Sequence, residues 1–311
     1  MSTSFPVPIL LVAFNRPDTA QRVTEAIRSI RPQRLYVAVD GPRTHKPGEA
    51  QLCQETQKAI LDTVDWDCEV STLFRDQNRG CGLGVAEAIS WMFDTEETGI
   101  ILEDDCVPNE SFFRFCETLL EHYRHDTRVM HISGFNIQQG IQRGNASYYF
   151  SRYAEPWGWA TWRRAWQYFD FDLADFQYFV EQKGFEATFQ RPAGIKQRWL
   201  KNFAHALAED PPTIWDYRWM YSIWKENGLC ITPNVPLVQN IGFDERAIHT
   251  QVSQGKYDEV RAQKLDTIVH PSMMIPDIDA DELTSVTRHQ PPLLKRARLK
   301  VKHLASSVLG F

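Results

Sequence analysis

Three consecutive acids, Glu103-Asp104-Asp105, follow the apolar run Ile100–Leu102 and precede Pro108. Adjacent carboxylates at a strand end suit a hard divalent cation. Mg²⁺ and Mn²⁺ take oxygen ligands and keep positions open for substrate phosphates. A solvated acidic turn, or a cap for a helix near Asn109, would use the same residues. Asp216 follows Pro211-Pro212 at a predicted helix start. There a carboxylate either stabilises the macrodipole or, held ionised by it, serves as a general base. His249 reads as a late loop histidine or as a neutral imidazole that completes a metal shell. Arg16 reads as a surface charge or a phosphate contact. Asp40, before Gly41-Pro42, reads as a turn residue or as an acceptor for a base or ribose. Arg75 and Arg79 precede a glycine-rich stretch, Gly80-Cys81-Gly82-Leu83-Gly84. That stretch is either a flexible helix entry or a place where backbone approaches a phosphate.

The elements that must position these residues are legible as patterns. Val7–Phe14, Leu35–Val39, Val70–Phe74 and Ile100–Leu102 are apolar runs, each ending abruptly in polar residues. Helix-like stretches lie between them at Thr19–Ile30, Gly48–Val64 and Val85–Thr95. This alternation predicts a buried, mostly parallel sheet, and ligands of such sheets bind beyond the strands' carboxyl ends. Every cluster named above except Asp216 and His249 sits at such an end. A dinucleotide fingerprint should follow the first strand, but that strand runs into Asn15-Arg16-Pro17-Asp18 without a glycine. Nicotinamide and flavin chemistry is therefore disfavoured.

The second half differs. Eight of the ten tryptophans lie beyond residue 150, with Trp157, Trp159 and Trp162 in one short stretch. Core packing explains them, and Trp162 and Trp166 would share a helical face. An aromatic wall for a sugar's apolar face is the specific alternative, in which Trp157, Trp159 and Trp215 would bind an acceptor. Strands are predicted at Val129–Ser133, Tyr148–Arg152 and Leu229–Thr232, and helices at Thr161–Asp170, Ile195–Ala208 and Trp215–Asn227. The polar, proline-punctuated segment from about Gln251 to Pro292 reads as a connector or a loosely packed extension. Leu293–Leu304 reads as a basic helix.

The chain has 311 residues, 43% apolar and 24% charged, with 34 basic against 40 acidic residues. That composition supports a packed core and argues against nucleic-acid binding. The tail from Arg288 onward carries six Lys/Arg and no Asp/Glu. Its interleaved apolar and basic residues suit an interfacial helix on anionic lipid, or a solvated terminal helix. Six cysteines without CxxC spacing suggest free thiols in a reducing compartment. Residues 1–8 lack a signal-peptide pattern and no apolar run approaches a membrane span, so the expected location is cytoplasmic, with the tail allowing contact with the membrane's inner face.

Taken together, the Pro8–Arg16 opening, Val39-Asp40-Gly41, the acidic triplet, Trp157-Gly158-Trp159, Trp215-Asp216 with Trp219-Met220, and Gly242 followed by His249 resemble a GT-A-fold inverting glycosyltransferase of the N-acetylglucosaminyltransferase I-like group. The Asn78-Arg79-Gly80-x-Gly82 loop is also similar to family 2 glycosyltransferases. The resemblance covers roughly residues 8–250. It implies a GT-A (Rossmann-like) mixed, mostly parallel sheet flanked by helices, with a C-terminal helical extension. The glycosyltransferase domain would span 1–250, with a nucleotide-sugar half to about 135 and an acceptor half from about 136; residues 251–311 would form the extension.

By the same resemblance, Asp105 and His249 would hold Mn²⁺ or Mg²⁺. Asn15, Arg16, Asp40, Arg79, Glu103 and Asp104 would bind a nucleotide-sugar donor, UDP-linked and perhaps UDP-GlcNAc. Asp216 would be the base, although Tyr217-Arg218 follows it where the group has a second acid. The acceptor would be a saccharide, free or lipid-linked. A non-catalytic glycan- or nucleotide-binding module, a metal-dependent phosphohydrolase and a nucleotidyltransferase are the alternatives. The module would not need both the triplet and Asp216. The hydrolase should bring more carboxylates or histidines, and the nucleotidyltransferase a glycine-rich basic loop after the first strand.

Overall fold

The computed structural model describes residues 4–191, 194–209, 212–243, 257 and 259–288. Ten strands occur in it: β1 Ile9–Ala13, β2 Arg34–Val39, β3 Glu69–Phe74, β4 Thr98–Glu103, β5 Cys106–Pro108, β6 Val129–Ser133, β7 Tyr148–Ser151, β8 Trp159–Trp162, β9 Leu229–Pro233 and β10 Val238–Asn240. The helices are α1 Pro17–Arg28, α2 Glu49–Thr63, α3 Gly80–Phe93, α4 Glu110–His122, α5 Arg163–Trp166, α6 Phe176–Glu181, α7 Gly184–Thr188, α8 Ile195–Ala208, α9 Asp216–Lys225 and α10 Ile278–Arg288.

Eight strands form one sheet in the order β3-β2-β1-β4-β8-β6-β9-β7, and β5 and β10 pair separately. β1 to β4 are parallel neighbours, β8 runs against both β4 and β6, and β7 runs against β9. β6 and β9 pair in parallel. The sheet is thus mixed and mostly parallel, with helices around it. Its apolar runs are continuous because both faces are covered. Ile9, Leu11, Leu35, Val37, Ile100 and Leu102 enter one buried cluster, while Leu10, Tyr36, Ala38 and Ile101 enter the other. Alternation along each strand therefore divides the side chains between two cores.

Three elements differ from the sequence expectation. The stretch Trp159–Trp162 is a strand, not the start of a helix. Its residues alternate, Trp159 entering one core and Ala160 and Trp162 the other, and period two overrides the i,i+4 spacing of Trp162 and Trp166. The glycine-rich stretch is the start of α3 itself. Asp40 accepts the backbone N–H groups of Arg79 (3.0 Å) and Gly80 (3.0 Å), so the first turn closes despite three glycines. The described part of the extension is packed on the body. Gln263 donates its N–H to the Pro236 carbonyl (2.7 Å), Asp277 donates to Phe150 (2.8 Å), and Pro276 bridges Phe150 at the free edge of β7. The predicted basic helix Leu293–Leu304 lies outside the described residues.

All six cysteines are free. Among the described residues, no helix is long and apolar enough to cross a membrane.

Candidate active site

Parallel strands lift their carboxyl ends to one edge, and there β1, β2 and β4 deliver Asn15-Arg16, Asp40 and Glu103-Asp104-Asp105. Arg16 enters just before α1, whose first residue is Pro17, so the chain turns sharply as it leaves the sheet. Its guanidinium pairs with Asp104 and, at 2.9 Å, with Asp105 Oδ2. The Phe14 N–H donates to Asp104 Oδ2 at 3.2 Å. Asp104 therefore stitches the end of β4 to the end of β1, and Arg16 holds both aspartates.

The charge balance of this corner is lopsided. Burial works against the charge of Arg16, but Asp104 and Asp105 overcome it and hold the guanidinium above the ordinary arginine range. Burial, then repulsion from Asp105, Asp104 and Asp216, pushes Glu103 up to about 8. Burial pushes Asp104 up to about 6 even though Arg16 opposes the shift. Cys81, in the first turn of α3, is raised by burial and then by Glu103, Asp216, Asp105 and Asp104. Asp216 thus acts electrostatically on the same groups as the triplet. The corner is short of positive charge.

Asp216 begins α9, and its Oδ1 accepts the Tyr217 N–H at 3.0 Å. That helix is anchored by Trp219, Met220, Ile223 and Trp224, all buried. The approach of α9 also depends on a glycine. A Cβ on Gly82 would lie 2.3 Å from the Pro212 carbonyl oxygen, so only glycine lets α3 meet the segment leading into α9. Asp105 is enclosed from another side. The Asn240 side chain donates to its Oδ1 at 3.3 Å, and Ile241 N–H to its carbonyl at 2.8 Å. A Cβ on Gly242 would lie 2.0 Å from Asp105 Oδ2.

The remaining predicted donor residues take more local partners. Asp40 accepts from Gly41 N–H, the Asn78 side chain, Arg79 N–H and Gly80 N–H, each at 3.0 Å. Burial pushes its carboxyl upward, and those N–H groups work against the shift. It is first of all the cap of α3. Arg79 turns to Glu87 (2.6 Å), which Arg75 also binds (3.1 Å). Asn15 donates to Glu49 (2.9 Å), itself held by Arg43. His249 lies outside the described residues.

The tryptophan expectations need correction. Trp159 is 0% exposed and Trp215 4%, their rings stacked with centroids 5.7 Å apart. They have no open face for a sugar; they fill the core beneath α9. Trp157 is half-buried, walled by Phe135 and Tyr257, with Arg288 over its ring at 4.5 Å. It alone of the three is partly exposed.

Glu49, Asn240, Glu155 and Arg288 were not singled out by sequence reasoning. Asn240 could have been suspected from its place before Ile241-Gly242. Glu155 and Arg288 carry no local signal, since 133 residues separate them and only the fold joins them.

Among the described residues, no three His, Cys, Asp or Glu side chains converge on a closed metal cage. The donor set instead fits a cation taken up by one carboxylate and completed by ligand oxygens. Asp104 and Asp105 share the Arg16 guanidinium, and the repulsion they and Glu103 exert on one another is what a divalent charge would relieve.

The architecture defines an α/β protein whose polar residues gather beyond the carboxyl ends of a mostly parallel sheet. No protein-family model matches the chain, and no curated protein matches it. Solved structures share part of its chain trace. Mouse xyloside xylosyltransferase 1, in its apo form, aligns at 11% identity and a TM-score of 0.33, over 70% of this chain and 81% of that one. HddC from Yersinia pseudotuberculosis aligns at 9% identity and 0.32, over 51% and 77%. A UDP-glucose pyrophosphorylase solved with UDP-glucose aligns at 9% and 0.32, over 52% and 78%. Likeness of this degree says nothing about chemistry.

Proposed function

We propose that this chain is an inverting glycosyltransferase that moves a sugar from a nucleotide-sugar donor, by resemblance a UDP-sugar, to a saccharide acceptor with the help of Mn²⁺ or Mg²⁺. One observation carries the reading: Asp104 and Asp105, with Glu103 before them, meet Arg16 at the ends of β1 and β4, and Asp216 at the start of α9 acts electrostatically on Glu103. A fixed cation next to two carboxylates, with a further carboxylate on another element, separates two tasks. One side can hold a diphosphate, and the other can accept a proton.

In this reading Arg16 reaches the diphosphate and offsets charge as it leaves. Asp105, with Asn240 and Gly242 closing behind it, would hold the cation, which when bound lowers the cost of negative charge on the leaving diphosphate. Asp216 takes the proton of the acceptor hydroxyl as that oxygen attacks the anomeric carbon. The new C–O bond forms as the bond to the diphosphate breaks, and the electron pair leaves with the diphosphate. A single displacement from the opposite face inverts the configuration. Asp40 supports donor binding through α3, whose first turn it fixes beside the triplet.

The test is release of UDP from UDP-GlcNAc and related donors by the purified full chain with Mn²⁺, with and without an array of saccharides. Acceptor-dependent release, lost on chelation and recovered on adding metal back, is the expected result. Release that ignores every acceptor would favour a hydrolase. Consumption of the donor only with pyrophosphate would favour a nucleotidyltransferase.

A further inference from the structure

Residues 260–277 lead into α10 as a strap across the body, with neither helix nor strand apart from one bridge at Pro276. Its first half is tied by backbone groups. The Leu265 N–H donates to Ser111 Oγ on α4 (3.0 Å), the Val269 N–H to Ser147 Oγ just before β7 (2.8 Å), and the Ser147 N–H to the Val269 carbonyl (2.9 Å). Ile268 and Met274 pack partly on the core, whereas Val269, Met273 and Ile275 stand exposed. Little apolar burial thus holds the middle of the strap. What it lays against the body there is His270.

His270 and His122, the last residue of α4, stack face to face, with ring centroids 3.9 Å apart and planes 7° from parallel. Both are exposed. From the stack a hydrogen-bond relay enters the core. His270 Nδ1 lies 2.8 Å from the Tyr148 hydroxyl, which lies 2.6 Å from the Tyr123 hydroxyl, and both tyrosines are buried. With His270 neutral and its proton on Nε2, Tyr123 donates to Tyr148, and Tyr148 donates to Nδ1. A proton added at Nδ1 turns that nitrogen into a donor, so both hydroxyls must reverse. The same proton sets a charge against the neighbouring ring. Two charges at the 3.9 Å separation of this stack oppose each other by a factor of about five even in bulk water.

The charges carried by the packed elements are matched among themselves. At the end of α4 and on the turn after it, Glu121 meets Arg124 (3.4 Å) and Asp126 meets Arg128 (2.7 Å), with His125 exposed between them. On the strap Lys264 meets Asp266 (2.7 Å), and Asp277 lies 4.0 Å from Arg143. β7 brings tyrosines and no charge. Burial, and then His122, hold His270 below the usual histidine range.

We propose that His122 and His270 form a proton-operated latch. With both rings neutral the strap lies closed on α4 and β7. Protonation reverses the tyrosine relay, sets two charges face to face and frees the middle of the strap. A histidine whose folded value is depressed stabilises the closed form fully above the unfolded value of about 6.5, and that contribution is lost as the pH falls through the folded value. Helix α10 is held separately, by Asp281 on Ser151 Oγ (2.6 Å) and the Arg152 N–H (3.1 Å), so opening is confined to the strap. The latch stands apart from the reaction proposed above and does not require it.

Hydrogen exchange of the full chain, read as protection factors over residues 266–277, tests the latch. Protection should fall about tenfold from pH 7.5 to pH 5.0. His122→Phe keeps a ring in the stack but removes one charge, and should cut the fall to about threefold. His122→Phe combined with His270→Phe should abolish it. Asp281, whose titration acts in the opposite direction, is present in all three forms and cancels from the comparison. A fall as large as that of the wild type in either variant would overturn the inference, as would wild-type protection that ignores pH. Imidazole NMR titration of the wild type covers a variant that fails to fold. The pair should titrate in two coupled steps at least about one pH unit apart. Two independent curves at the ordinary histidine value would overturn the latch equally.

Discussion

At the scale of single residues, two aspartates are assigned opposite duties in the proposed reaction, and their surroundings separate them. Asp105 is held by Arg16 and Asn240 at the end of a strand, whereas Asp216 stands on the first turn of a helix and takes the next residue's N–H. Asp216→Asn keeps the shape and the N–H acceptor but cannot take a proton. Acceptor-dependent transfer should fall by about 10²–10⁴-fold with donor affinity unchanged, measured by UDP release and calorimetry. Transfer at wild-type rate in this variant would remove Asp216 as the base. Asp105→Asn should act differently, weakening metal-dependent donor binding along with turnover, so that the two variants part in the calorimeter rather than in the rate. The triplet and Arg16 could be picked out in the sequence because acids and an arginine after apolar runs have a place to go in a parallel sheet, and Asp216 because it stands at a helix start after Pro211-Pro212. The roles of Trp159 and Trp215 could not, because tryptophan fills a core as readily as it walls a cleft. Only the stack that buries both rings decides it.

At the scale of elements, the site depends on how closely helices approach the strand ends. β1, β2 and β4 were legible because both faces of each are buried, which leaves unbroken apolar runs, whereas β3 is a half-exposed edge strand. The start of α3 was not legible, because its cap comes from Asp40, forty residues upstream, and no local pattern records a long-range hydrogen bond. Gly82 makes that contact testable. Substitution to alanine would drive a methyl group into the Pro212 carbonyl, and backbone on both sides must shift to relieve it. Gly82→Ala should cost about 1–3 kcal/mol by denaturant unfolding, despite the helix propensity that alanine brings. It should also lower turnover, because the displaced segment leads directly into Asp216. A Gly82→Ala variant as stable as the parent would show that the approach of α3 to the 212–213 segment is not what fixes α9.

At the scale of the whole molecule, the question is how the segment after residue 251 belongs to the rest. Its polar, proline-broken composition reads as a connector, and composition cannot report that an acid within it is buried. Asp281 is 5% exposed, and burial pushes its carboxyl up to about 7 although Ser151 and Arg152 donate to it. The folded chain therefore holds this proton to about pH 7, while an unfolded aspartate releases it near pH 4. Between those limits the folded state binds the extra proton, so stability contributed by Asp281 is fully present below pH 4 and lost progressively up to about pH 7, then flat. The change is on the order of 4 kcal/mol at most. Other raised acids, Glu103 and Asp104 among them, add slopes of the same sign, so the useful quantity is a difference. Asp281→Asn can still accept from Ser151 and does not titrate. Its melting temperature minus that of the wild type should climb between pH 4.5 and 7.5, and proteolysis near α10 should lose its pH dependence. A flat difference curve would mean that α10 is held by its neighbours without regard to the charge of Asp281. The basic stretch beyond Arg288 poses the complementary question, because a helix docked by Asp281 would present that stretch from a fixed point on the body. Flotation on anionic liposomes with and without residues 289–311 should recover the full chain preferentially at low salt and lose the preference at high salt. Equal recovery of the two forms would leave the tail as a solvated end, with no part in bringing a lipid-linked acceptor to Asp216.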